Sequence, residues 1–151
     1  MAPLLALLST FVVFFALGRI GVPWFADVVF DLRLAVACMF ALTASAHWGK
    51  RRPDLIRMVP PSLPKPAALV TLTGVLELLG AIGIALPATS PYAAVGLALL
   101  LVAMFPANVR AARERIAIAG KPATPLGLRT VLQLVFLAAA LAAGFGHSFG
   151  A

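Results

Sequence analysis

Five apolar stretches, separated by short polar or proline-containing segments, organise this chain: Pro3–Val22, Asp31–Trp48, Pro66–Leu86, Tyr92–Val109 and Leu126–Phe145. Each approaches the roughly 17–25 residues that one helical membrane crossing requires. The second and fourth are short and borrow flanking residues. Helices are the expected form, because a helix satisfies its own backbone groups in lipid. The pattern predicts an all-α, multi-pass membrane protein whose single membrane domain uses the whole chain.

The segments between the stretches carry their own signals. In GKRRPDLIRMVPPSLPKP, Pro53 suits the first turn of a helix and Asp54 complements the positive end of its dipole. Pro60 and Pro61 stop that helix, because a residue preceding proline avoids the α region. One or two turns lying in the membrane interface are expected, with a plain basic loop as the alternative. Pro87 and Pro91 bracket a tight turn that makes the third and fourth spans an antiparallel hairpin. After the fourth span, NVRAARERIAIAG is expected to continue as helix and to stop near Gly120. Pro122 and Pro125 then frame the start of the fifth span.

Composition sharpens the class: 62% of residues are hydrophobic and 11% charged, unlike a soluble globular domain. The net charge of +7 is not a nucleic-acid footprint, because of where it lies. Lys50, Arg51, Arg52, Arg57 and Lys65 fall between spans two and three; Arg110, Arg113, Arg115, Lys121 and Arg129 follow span four. The turn Pro87–Pro91 carries no basic residue. Such alternation is the positive-inside signature and sets both basic loops in the cytoplasm, the N-terminus inside and the C-terminus outside. Ser90 is then reachable from outside and Arg113 from inside. The start, MAPLLALLST, lacks a basic n-region and the first run lacks a clear cleavage site, so that segment reads as a retained span. Cys38, the single cysteine, excludes an internal disulfide and reads as a small apolar filler. Trp24, Trp48 and Tyr92 read as interfacial anchors.

Against this background, Glu77 stands out as the one charge within the 21 residues of Pro66–Leu86. It lies roughly 16 Å along that helix, about halfway through a hydrocarbon core of roughly 30 Å. An ionisable group at such depth costs at least roughly 2.5 kcal/mol and therefore faces protein, a partner or a water-filled cavity. Its helical neighbours Thr73, Gly74, Gly80 and Ala81 are small, which marks a packing face, with Gly83 extending it. Arg129 and Gln133, four residues apart, share a face of span five. Arg129 is a candidate counter-ion to Glu77, with snorkelling to the interface as its alternative. Gln133 is a candidate donor to Glu77, with interhelical glue as its alternative. His47 ends span two, with Thr43 one turn away, and Asn108 follows the helix-perturbing Pro106 in span four. His47, Glu77, Asn108, Arg129 and Gln133 thus converge from four helices on the inner half of the membrane. A metal site is not expected, since no carboxylate–histidine spacing resembles a zinc or di-iron motif and His147 falls at the opposite face.

The chain also resembles the DoxX-like family of small integral membrane proteins. The resemblance runs from Leu32 to Leu141 and rests on LTASAHW, RMVPPSLPKP, LVTLTGVLELLGAIGIALP, FPANVRAARE and LRTVLQL, in that order. It implies a four-helix transmembrane core over residues 29–151 and an extra N-terminal transmembrane helix in residues 1–28. It also implies that His47, Pro60, Pro61, Pro64, Gly74, Glu77, Pro106, Asn108, Arg129 and Gln133 occupy motif positions. Ala46-His47-Trp48 departs from relatives that carry glycine before His-Phe. Members of that family resemble membrane subunits of quinone-linked oxidases, or helpers in redox maturation and membrane protein assembly.

Two functional classes follow. In one, the chain is a redox-associated subunit or accessory protein of a bacterial-type cytoplasmic (inner) membrane, binding a quinone-like or other lipid-soluble molecule near Glu77. Having no electron-carrying ligands or covalently bound cofactor of its own, it needs a redox partner protein. In the other, it is a non-enzymatic scaffold or assembly helper whose polar cluster, with Gly74, Gly80 and Gly83, fixes helix packing. Small-residue faces suit a homo-oligomer in either case, while five spans without a clear inverted repeat argue against a transporter.

Overall fold

The structure, a computed structural model, describes residues 1–146; His147 lies outside the described residues. The chain folds into helices α1 (Ala2–Arg19), α2 (Val28–Ser45), α3 (Arg52–Met58), α4 (Pro66–Ala85), α5 (Ser90–Arg113) and α6 (Leu126–Phe145). A two-residue ladder, β1 (Ala117–Ile118) with β2 (Lys121–Pro122), joins α5 to α6, and a 3-10 turn at Pro23–Phe25 joins α1 to α2. All helices but α3 are long and apolar enough to cross a membrane.

The local sequence accounts for the helix ends. Asp27 caps α2 by accepting a 2.8 Å bond from the Val29 N–H, which satisfies one of the orphan donors at that end. Prolines occupy the first turns of α3, α4 and α5, where their missing N–H costs nothing. The α3 helix stops at Met58 because Val59, preceding Pro60, is extended. Thr89 bonds the Gly83 carbonyl at 2.7 Å and closes the end of α4.

α2 packs on α4 and α6, and both of those pack on α5, so α4 and α6 occupy opposite corners; α1 leans on α2. The buried positions of α4 are Val70, Gly74, Glu77, Ala81 and Ile84, alternating steps of four and three along one stripe. α5 repeats the spacing with Ser90, Ala94, Leu97 and Leu101. At the bundle centre Val36, Met39, Phe40, Ile84 and Leu97 are buried almost completely. The opposite faces stay apolar and open, Leu79 at 59%, Leu99 at 66% and Leu134 at 61% exposed. So much outward apolar surface fits a membrane protein, in which lipid covers it. Trp24 and Tyr92 are likewise exposed.

Three expectations need correction. The α5 helix does not continue to Gly120. It ends at Arg113, where Arg115 turns left-handed (φ 50°) and the Ile116 N–H bonds the Ala111 carbonyl at 3.0 Å. That is a Schellman stop built on arginine in place of the usual glycine. Ala119 (φ 52°) and Gly120 (φ 74°) then make a tight hairpin turn with both residues left-handed. Cys38 is exposed on the outward face of α2, not an interior filler. Ser90 is fully buried, because the α5 stripe starts there; in the same turn Ala88 is exposed.

The hairpin is held by α3. Asp54 accepts from the Ala119 N–H at 2.8 Å and pairs with Arg57, which also donates to the Ala117 carbonyl. The Ala119 N–H, helped by Arg57 and opposed by desolvation, holds the Asp54 carboxyl below its ordinary value of 3.8. A carboxyl whose pKa is lower in the folded state stabilises above its unfolded pKa and loses that contribution as pH falls through the folded one. Hydrogen exchange at the Ala119 amide, corrected for intrinsic rate, is therefore expected to accelerate below about pH 4. In Asp54→Ala it should be fast already at neutral pH; unchanged protection in that variant contradicts the clamp.

Candidate functional site

The site begins with the way α2 ends. Beyond Ser45 the chain makes one looser turn, and His47 tucks between α2 and α4, 6% exposed. Space for it exists because residue 74 is glycine: a Cβ there would lie 2.6 Å from the His47 Cβ and 3.0 Å from the Trp48 ring. His47 Nδ1 then reaches the Val70 carbonyl of α4 at 2.6 Å. Arg52 locks this turn, donating to the His47 carbonyl at 2.7 Å, the Ala67 carbonyl at 3.1 Å and the Thr71 hydroxyl at 2.9 Å.

That geometry fixes the imidazole. A carbonyl oxygen only accepts, so Nδ1 carries its hydrogen and Nε2 is the nitrogen turned to Glu77, 3.6 Å from Oε1. The distance exceeds a hydrogen bond but lies within ion-pair reach. Imidazolium with carboxylate, or neutral imidazole with carboxylic acid, contain the same number of protons. A proton passing from one group to the other would leave the net charge of the pair unchanged. Glu77 is 3% exposed, and its second oxygen, Oε2, has no hydrogen-bond partner among the described residues.

The other three candidates form a second group. Arg129 Nη1 donates to Asn108 Oδ1 at 2.6 Å and its Nε to the Thr124 carbonyl at 3.1 Å, tying α6 to α5. Arg129 thus meets Asn108 rather than Glu77, because the carbonyl at the start of α6 and the amide on the adjacent helix are the nearer acceptors. Gln133 is 8% exposed and its Nε2 has no hydrogen-bond partner among the described residues, so the expected bond to Glu77 is not made. Opposite corners of the bundle separate the two helices.

All five residues nevertheless line one cavity of about 530 Å³ between the helices, at the end where α2 stops and α6 starts. Apolar side chains, among them Phe40, Met104 and Phe136, form most of its wall, and Ala2 and Pro3 of α1 border it. The volume falls in the range of small-molecule sites, and a mostly apolar wall with a few convergent polar groups is their usual make-up. The three packing glycines sit on the same helix: Gly74 against His47, Gly80 against Leu97, Gly83 against Ala93. Among the described residues, no cluster of histidine, cysteine and acidic side chains has the makings of a metal site.

With this geometry in view, comparison with known proteins decides the family. The model of a domain of unknown function, DUF8561, matches residues 36–144. The chain belongs to the DUF8561 family. Within that match lie His47, Glu77, Asn108, Arg129 and Gln133, while α1 lies outside it. No curated protein and no solved structure matches the chain.

Several contributors to this DUF8561 site escaped the sequence reading. Arg52 looked like one charge of a basic loop, yet it ties the start of α3 to α2 and α4. Thr73 bonds the Leu69 and Val70 carbonyls and sits 3.4 Å from His47 Nδ1. Away from the site, at the other end of α2, Asp31 is wholly buried with neither carboxyl oxygen hydrogen-bonded among the described residues. It looked like the polar edge of a span; no periodicity signalled its burial.

Gly74→Ala is expected to push His47 off the Val70 carbonyl and to cost about 1–3 kcal/mol, as overpacking generally does. Gly80→Ala should cost a comparable amount, because the added Cβ would run into the Leu97 side chain, which is buried almost completely. Unfolding in mixed detergent micelles measures both; a neutral Gly74→Ala contradicts the packing described.

Proposed function

We propose that this chain is an integral membrane protein of the bacterial-type cytoplasmic membrane that binds a lipid-soluble small molecule beside Glu77. In this reading α2, α4, α5 and α6 form a four-helix transmembrane core and α1 an extra N-terminal transmembrane helix. The protein acts as a redox-associated subunit or accessory protein, in keeping with its resemblance to the DoxX-like family. The observation that carries the reading is the cavity of about 530 Å³, mostly apolar in its walls, on which five polar residues from α4, α5, α6 and the turn after α2 open. A quinone, when bound, supplies a head that exchanges protons and electrons. Glu77 and His47 hold a proton beside that head, Gln133 offers a donor to it, and the apolar wall takes the ring and tail. Electrons come from a cofactor-bearing partner.

A scaffold role draws on a different observation: the bonds His47 to Val70 and Arg129 to Asn108 each tie two helices together. Gentle purification followed by mass spectrometry separates the two. Wild type is expected to retain a lipophilic small molecule and Glu77→Gln to lose most of it while staying folded. No retained molecule, with Glu77→Gln silent in stability and growth, refutes binding. Unfolding of Glu77→Leu beside a silent Glu77→Gln establishes the structural role.

The loop charges support an orientation with the cavity on the cytoplasmic side and the N-terminus inside. In a background with Cys38 replaced by alanine, a cysteine at Ala88 should label from outside and one at Arg113 only from inside. The reverse pattern overturns the orientation.

A further inference from the structure

Two buried polar atoms of the cavity residues, without hydrogen-bond partners among the described residues, narrow the chemistry of the ligand head. His47 Nδ1 is committed as a donor to Val70, so Nε2 is the ring nitrogen that faces Glu77 Oε1. As the carboxylate partner of an imidazolium, Glu77 leaves its Oε2 as an acceptor. Across the same cavity, the unpartnered Gln133 Nε2 is a donor. A head that satisfies both has to donate and accept.

We infer that the cavity selects a lipophile with a hydroxyl head, a phenol or a hydroquinone, over one whose head only accepts, such as a quinone carbonyl. The hydroxyl hydrogen goes to Glu77 Oε2 and a hydroxyl lone pair receives the Gln133 amide. A bare carbonyl serves Gln133 alone and sets its lone pairs against those of Oε2, leaving a buried acceptor unpaired. Leaving one such group unpaired typically costs about tenfold or more in affinity. The selection concerns hydrogen-bond polarity and involves no electron transfer. It rests on the small-molecule reading above and specifies its ligand.

Equilibrium dialysis between protein-loaded and empty lipid nanodiscs tests this, with the empty discs correcting for partition into lipid. Three probes share one tail: a decyl hydroquinone kept reduced under anaerobic conditions, the matching decyl benzoquinone, and 4-decylphenol. The hydroquinone and the phenol are expected to bind at least about tenfold more tightly than the quinone, and Gln133→Leu to weaken both hydroxyl compounds by about tenfold. Equal affinities, or a preference for the quinone, overturn the inference while leaving small-molecule binding intact. Binding of the hydroquinone without the phenol also overturns it, as does an unaffected Gln133→Leu. Retention of no probe overturns it too; the small-molecule reading then falls only if the co-purification is also blank.

Discussion

The contact between His47 Nδ1 and the Val70 carbonyl organises the cavity end of this protein. The hydrogen bond is 2.6 Å long, buried, and joins two helices distant in sequence. In an apolar surrounding, a buried polar group without a partner is expensive, so such a bond holds its donor and acceptor in place. Its consequences spread outward. The imidazole has one orientation, Nε2 is presented to Glu77, and the carboxyl is turned so that one oxygen faces histidine. Gly74 permits the approach and Arg52 fixes the turn that delivers it.

Helix association in lipid gains nothing from the hydrophobic effect, since lipid tails are as apolar as the side chains they would replace. Close packing and interhelical hydrogen bonds have to supply it. Both are present, but at different levels of the bundle. The centre is an apolar plug of Val36, Met39, Phe40, Ile84 and Leu97, and at the end away from the cavity Gly144 of α6 is set against Ala94 of α5. Most of the polar bonds between elements gather at one end, around the cavity, while at the other end Arg33 of α2 donates to the Ala143 carbonyl of α6 at 2.9 Å. A polar, roomy end beneath a tight apolar centre suits a site entered from one side of the membrane, and suits a continuous path across it poorly.

Most of the architecture was legible because each span announces itself by length and apolar character. Span five even begins and ends where its sequence says, Leu126–Phe145. The burial of Glu77 was legible too, from small residues at helical spacing beside it. Details set by backbone conformation or by competition between partners were not. Arg115 and Ala119 take left-handed conformations that favour glycine, so the stop of α5 and the hairpin after it had no sequence cue. Arg129 chose Asn108 over Glu77 because acceptors near the start of α6 lie within its reach, a matter of corner geometry that spacing on one helix does not encode. Asp31 and Arg52 looked like ordinary polar edges. Only packing made one of them buried and the other a three-way clamp.

The tautomer of one histidine tests this account most directly. Solid-state nitrogen-15 NMR of histidine-labelled protein in lipid bilayers, with His147 replaced by glutamine so that a single ring reports, reads which ring nitrogen carries hydrogen. The account predicts a protonated, strongly hydrogen-bonded Nδ1 on His47, whether the ring is neutral or charged. An unprotonated Nδ1, with the hydrogen on Nε2 alone, would contradict it, because the ring would then have to be released from Val70 and Glu77 would lose the partner that orients it.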